Sequence, residues 1–176
     1  MLSLYSKGII NGRILQEYGI YSNHVRQGVP LKSIPYEWDN PPIGTHSFAL
    51  VLQDYDNVPD EGFSWIHWLV ADIPLEARNL PVNASRLDNA LIQGTNSWII
   101  PYGPYAGVQS DLITHYGGPA PEREHEYETK IYALDTFLGL QNGFFYNQLL
   151  RKMDGHIIEE SVIRGVYGGD KVFCFD

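Results

Sequence analysis

Cysteine is almost missing from this 176-residue chain. Its one copy, Cys174, excludes an internal disulfide and any zinc site built on thiolates. Positive charge is scarce as well: 12 Lys and Arg stand against 21 Asp and Glu, a formal net charge of −9. Neutralising a phosphate backbone requires a basic face, so nucleic acid is not an expected partner. Non-specific docking on anionic membranes is disfavoured for the same reason. No apolar run approaches the ~18 residues of a spanning helix, so no integral membrane segment is expected. The opening residues, Met1 to Gly8, lack the basic and apolar regions of a secretory signal, and the expectation is a soluble, cytoplasmic protein. Repeats, low-complexity tracts, a Walker-type phosphate loop and a Gly-x-Ser-x-Gly nucleophile elbow are all absent. The six histidines (His24, His46, His67, His115, His125 and His156) show neither His-x-His nor His-Glu-x-x-His spacing, so no metal site is expected.

What is abundant is turn and strand chemistry: 17 glycines, 11 prolines and 12 tyrosines. The length suits one domain over residues 1–176, enough chain to bury roughly 70% of its unfolded surface without a staple. Ser47 to Gln53 is nearly continuous in apolar residues and reads as a central strand covered on both faces. Ser64 to Ile73 reads as a second strand. Strict alternation would place Trp65, His67, Leu69, Ala71 and Ile73 on one face, and Ile66, Trp68 and Val70 on the other. A third strand runs from Tyr127 to Leu134, with weaker candidates near Gly12–Tyr18, Ala90–Gln93 and Val172–Phe175. Helical spacing appears late, over Asn142–Met153 and again over His156–Val166. The fold class is therefore mostly β, with antiparallel strands and two short C-terminal helices. Residues 94–124 form a long Gly/Pro/Tyr-rich stretch whose Trp and Ile content favours an ordered, functional loop.

Three clusters could carry chemistry. Asp54-Tyr55-Asp56 follows the central strand and is also good turn sequence. His67 sits in an apolar strand beside Trp65 and Trp68, where a core histidine is the commoner outcome unless a partner is present. Tyr116-Gly117-Gly118-Pro119-Ala120-Pro121 precedes His125-Glu126-Tyr127. A Gly/Pro loop can turn successive amides toward an anion, and His125 and Tyr127 share a strand face. Cys174, between Phe173 and Phe175, reads as a small buried hydrophobe.

Together these segments resemble the phosphatidylethanolamine-binding protein family, in its prokaryotic Raf-kinase-inhibitor-like branch. The resemblance spans almost the whole chain. It runs from Ser6-Lys7-Gly8 and Pro35-Tyr36-Glu37-Trp38 through Pro41-Pro42-Ile43-Gly44-Thr45-His46-Ser47-Phe48-Ala49-Leu50. It continues in Asp54-Tyr55-Asp56, His67-Trp68, Gly118-Pro119-Ala120-Pro121, His125-Glu126-Tyr127 and Tyr132-Ala133-Leu134-Asp135. It implies two antiparallel sheets in a sandwich with short helices and a small anion pocket at one end. Carried over residue by residue, it implies ligand binding by Asp54, Trp65, His67, Gly118, Ala120, Pro121, His125 and Tyr127, with Gly118 and Ala120 offering amides. It further implies no cofactor and no metal, and frequent homodimers. Tyr55, Glu122 and Glu126 depart from the family pattern, and the two glutamates would add negative charge at the mouth. Asp54 beside His67 is expected to orient that ring and raise its pKa.

The leading functional expectation is a non-catalytic binding protein for a small phosphate- or carboxylate-bearing ligand, such as a phosphoethanolamine head group or a phosphorylated side chain. Such a module could regulate or inhibit a protein partner, for example a kinase or protease. The alternatives are a His/Asp acid–base enzyme acting on a small phosphoester, and an interaction protein whose pocket is vestigial and whose 96–115 loop meets a partner.

Overall fold

The computed structural model describes residues 1–101 and 103–169, so the strand expected over Val172–Phe175, with Cys174, lies outside the described residues. In chain order the strands are β1 (Ser3–Tyr5), β2 (Ile9–Ile10), β3 (Arg13–Ile14), β4 (Val25–Arg26), β5 (Val29–Pro30), β6 (Tyr36–Asp39), β7 (Ser47–Asp54), β8 (Trp65–Pro74), β9 (Asn79–Leu80), β10 (Ile92–Gln93), β11 (His125–Leu134) and β12 (Ile157–Tyr167). The helices are α1 (Val58–Glu61), α2 (Ala84–Leu87), α3 (Ser110–Ile113) and α4 (Tyr146–Met153), the first three a single turn each. A seven-stranded sheet has the order β10-β8-β7-β11-β12-β3-β2, a smaller sheet pairs β1-β6-β9, and β4-β5 form a hairpin. Pairing is antiparallel except between β12 and β3, which run parallel.

β7 is buried at every position. Phe48, Leu50 and Leu52 face a core shared with Tyr36, Trp38, Leu4 and Leu80 of the small sheet, while Ala49 and Val51 face a second core closed by Leu138, Phe144, Leu149 and Met153. That two-sided burial is what its continuous apolar run implied. Among the described residues no helix is long and apolar enough to cross a membrane.

Two expectations need correction. The segment expected as a second C-terminal helix, His156–Val166, is instead the long strand β12, hydrogen-bonded to β11 in register from His125↔Tyr167 to Leu134↔Ile157. Ile157, Ile158, Val162, Ile163 and Val166 are β-branched, and Gly165 interrupts any helix, so strand propensity outweighs an apolar spacing that happened to fit 3.6 residues. α4 is the one C-terminal helix among the described residues, and it starts at Tyr146, later than the periodicity implied.

The second correction concerns β8, which does not alternate strictly. Its register against β7 steps from Leu52↔Trp68 to Gln53↔Ile66, leaving His67 as an extra residue, and from Phe48↔Ile73 to Leu50↔Val70, with another extra residue near Asp72. Trp68, Val70 and Ile73 therefore share one core, while Leu69 and Ala71 join Ile66 in the other. Both extra residues are used. Asp72, at a positive φ of 55°, accepts the backbone N–H groups of Leu138 at 2.6 Å and Gly139 at 2.9 Å. His67 is re-aimed by its bulge, the usual purpose of such an insertion.

Asn96 ties together both ends of the 94–124 stretch. Its N–H bonds the Ile113 carbonyl at 2.7 Å, its amide nitrogen donates to the Leu112 and His115 carbonyls at 2.8 Å each, and its side-chain oxygen accepts from the Trp98 N–H at 3.0 Å. The stretch folds back over the end of the large sheet where β7 stops and β8 and β11 start.

Candidate functional site

Strand pairing assembles the site. Asp54 ends β7 opposite Trp65 on β8 and opposite Tyr127 on β11, so three motifs distant in sequence meet at one end of the large sheet. His125 lies two residues before Tyr127 and shares its face. The result is a small cavity of about 70 Å³ lined by Asp54, Asn57, Trp65, His67, Trp98, Tyr105, Ala120, Pro121, His125 and Tyr127. That is room for a group the size of phosphate. It opens into an acidic vestibule of about 520 Å³ lined by Asp60, Glu61, Glu122, Arg123 and their neighbours.

Of the eight residues singled out in the sequence, seven line the cavity, and Gly118 does not. Its N–H is taken by the Pro30 carbonyl at 2.9 Å and is not available to an anion. The paired glycines are there for space instead. A Cβ at Gly118 would lie 2.3 Å from the Tyr18 carbonyl oxygen and 2.8 Å from the Tyr116 ring, and one at Gly117 would lie 2.5 Å from Trp98. Ala120, whose N–H makes no hydrogen bond among the described residues, does line the cavity.

Asp54 pairs with a different histidine from the one expected. Its Oδ2 accepts from Nδ1 of His125 at 2.7 Å, while Oδ1 accepts the Asn57 N–H at 3.1 Å and fixes the turn after β7. Turn chemistry and site chemistry are thus the same carboxylate. His67 is held by the main chain: its Nδ1 bonds the Gly117 carbonyl at 2.6 Å, and the Gly117 N–H returns a bond to the His67 carbonyl at 2.9 Å. The pKa of His67 is lowered, not raised, because burial outweighs the pull of Asp54 and the Gly117 and Gly118 carbonyls. Nε2 of both rings is buried without a hydrogen bond among the described residues. That of His125 lies 3.2 Å from an oxygen of Asp60, and Asp60 is held in turn by Arg123 at 3.1 Å.

Tyr127 packs edge-on against His67, centroids 5.2 Å apart. Burial, then the nearby Asp54 carboxylate, push its phenol far above the usual range and keep it a proton donor. Trp65, Trp98 and Tyr105 form one wall, with centroids 5.0 to 5.5 Å apart, and Phe63 stacks on Trp65. The Tyr105 hydroxyl reaches Glu61 at 3.2 Å across the mouth. Glu122 lines the vestibule, whereas Glu126 faces Arg164 on β12 and stays out of it. Asp56 is structural, accepting the Glu126 N–H at 2.8 Å.

Asn57, Asp60, Trp98 and Tyr105 escaped the sequence reading. The acidic pair Asp60-Glu61, between the Asp54-Tyr55-Asp56 turn and the Trp65–Trp68 strand, was the visible clue to one of them. The aromatic content of 94–124 was the clue to two more.

The phosphatidylethanolamine-binding protein family model matches residues 5–168. Uncharacterized protein YxkA of Bacillus subtilis is 39% identical over 158 residues, covering 87% of this chain and 92% of that one. The crystal structure of CT736, a putative phosphatidylethanolamine-binding protein homolog from Chlamydia trachomatis, aligns with a TM-score of 0.73 at 30% identity, covering 96% and 98% of the two chains. That of Escherichia coli YbcL, described as a new member of the mammalian family, aligns equally well at 24% identity over 96% and 99%, a likeness of fold. The chain belongs to the phosphatidylethanolamine-binding protein family, in its prokaryotic branch.

Proposed function

We propose that this chain is a non-catalytic binding protein that takes a small anionic group, phosphate- or carboxylate-bearing, into the cavity at the end of the large sheet. The anion is presented on a head group such as phosphoethanolamine or on a phosphorylated side chain of a protein that the chain regulates, and the setting is cytoplasmic. The observation that carries this reading is the convergence of two buried imidazole Nε2 atoms, those of His67 and His125, neither hydrogen-bonded among the described residues, on a cavity of phosphate size. Buried polar atoms without partners are costly, and two of them on the wall of one cavity call for an occupant. Binding is favoured over covalent catalysis because the described lining holds no Ser, Thr, Cys or Lys, and burial pushes both of its phenols, Tyr105 and Tyr127, up and keeps them protonated.

Calorimetric titration with phosphate, phosphoethanolamine and phosphotyrosine tests the reading. Saturable binding is expected, weakened at least tenfold in His67→Ala with the fold intact and with no turnover of aryl phosphate. Equal affinity in parent and variant would remove the cavity from consideration.

Asp60 sets the strength of that binding. Its carboxylate sits where it competes with an incoming anion for Nε2 of His125. A unit charge about 4 Å away in a water-like medium opposes a singly charged anion by ~1 kcal/mol. Asp60→Asn is therefore expected to tighten phosphate binding about fivefold at low ionic strength, with the gain shrinking as salt is added. A salt-independent gain, or none, would show that Asp60 does not act through its charge.

A further inference from the structure

We propose that the single turn α1 is a strap across the mouth of the cavity, held shut by its own carboxylates and released when an anion enters. The inference rests on the anion-binding reading above and adds a regulation to that site. It starts from how little α1 can do alone. The turn runs only from Val58 to Glu61 and ends at Gly62, which takes a left-handed φ of 86°. None of its residues is buried, and one turn of helix is not stable by itself. What holds it in place lies outside it.

Its two carboxylates reach opposite lips of the mouth. Oδ2 of Asp60 lies 3.2 Å from Nε2 of His125 and 3.1 Å from a guanidinium nitrogen of Arg123, on the β11 side. Oε1 of Glu61 accepts from the Tyr105 hydroxyl at 3.2 Å, on the side of the 94–124 stretch. The base of the turn is pinned separately. The Asn57 N–H donates to Asp54 at 3.1 Å, and the Asn57 amide donates to the Phe63 carbonyl at 3.0 Å. Fixed ends and a lightly held tip make a hinged flap.

The contacts at the tip are of a weak kind. The side chains of Arg123 and Asp60 are 50% and 44% exposed, and ion pairs that open to water hold little. Asp60 comes close to Nε2 of His125 without the alignment of a hydrogen bond. An anion in the cavity competes for that same nitrogen and repels the carboxylate beside it. With the Asp60 carboxylate displaced, one hydrogen bond to Tyr105 remains, and the turn frays. By linkage, whatever loosens the strap also strengthens anion binding. The loaded and empty forms then differ at the surface, where a buried cavity would otherwise leave no trace.

The test is amide hydrogen exchange on the whole chain, with inorganic phosphate against chloride at matched ionic strength, beside phosphate titration. The reporters are the N–H groups of Asp60, Glu61 and Gly62, which bond within the turn to the Asn57 and Val58 carbonyls. Saturating phosphate is expected to speed their exchange roughly fivefold in the parent, where a ligand acting as a clamp would slow it. The same phosphate concentration should leave His67→Ala unchanged. In the double variant Asp60→Asn/Glu61→Gln, exchange should be fast without phosphate, and phosphate affinity about tenfold higher. Tyr105→Phe cuts the Glu61 tie without altering charge, and should quicken exchange in the phosphate-free protein about twofold. Phosphate that binds the parent but leaves or slows exchange at 60–62 would overturn the strap, with the anion pocket standing. Variants that exchange as slowly as the parent would overturn it equally. Phosphate bound by neither the parent nor the double variant would overturn the anion reading, and this inference with it.

Discussion

Replacing Asp54 by alanine is expected to cost both stability and binding. The carboxylate is buried and both of its oxygens are occupied, by Nδ1 of His125 and by the Asn57 N–H. Removing it leaves two buried donors unsatisfied and an unrestrained imidazole, a loss of about 3 kcal/mol. For a chain of this length that lowers the melting temperature by ~6–12 °C. Phosphate affinity should fall at least tenfold, because the His125 ring is no longer held toward the cavity. Asp54→Asn keeps an oxygen for the Asn57 N–H and should recover most of the stability without the charge. Thermal unfolding of the three proteins beside phosphate titration checks this. A stable Asp54→Ala protein that still binds phosphate would mean that the dyad neither builds the turn nor positions His125.

The second large effect is expected at Gly118, which never touches the cavity. A methyl group there would meet the Tyr18 carbonyl and the Tyr116 ring, whose hydroxyl bonds that same carbonyl at 2.7 Å. Ile20 is tied to the Pro119 carbonyl at 2.8 Å and Gly118 to that of Pro30, so neither strand of the contact can retreat freely. Overpacking of this kind costs about 3 kcal/mol, and Gly118→Ala should unfold at a correspondingly lower denaturant concentration. Displacement of the loop would also shift the Gly117 carbonyl that holds His67, so phosphate binding should weaken although no contacting residue has changed. A variant as stable as the parent would mean that the loop yields more readily than its hydrogen bonds imply.

The three long strands around the site were legible because Ser47–Gln53, Ser64–Ile73 and Tyr127–Leu134 carry dense apolar, β-branched and aromatic residues bounded by turn formers. The motif residues at their ends followed from the family resemblance. What the sequence hid was set by tertiary packing. β12 shows a spacing compatible with helix, and only pairing with β11 decides the matter. The partner of Asp54 depends on tertiary packing: β7 lies between β8, which carries His67, and β11, which carries His125, and no local pattern says toward which of the two the carboxylate turns. Gly118 illustrates a different ambiguity: a Gly/Pro loop suits an anion nest and a tight backbone crossing equally well, and one hydrogen bond to Pro30 separates the two. Trp98 and Tyr105 come from the 94–124 stretch and Asp60 from the single turn α1, segments whose placement no local pattern encodes.

The bulge at His67 has a consequence for how this sheet could evolve. Skipping residue 67, the alternation of β8 continues unbroken from Ile66 to Trp68, so the core is phased as though that residue did not exist. The histidine is an interpolated letter in a line that already scans. Its identity can drift toward other ligand chemistries without changing the phase of the core residues on either side of it in the strand. Binding and folding are written in the same ten residues and yet remain separately editable.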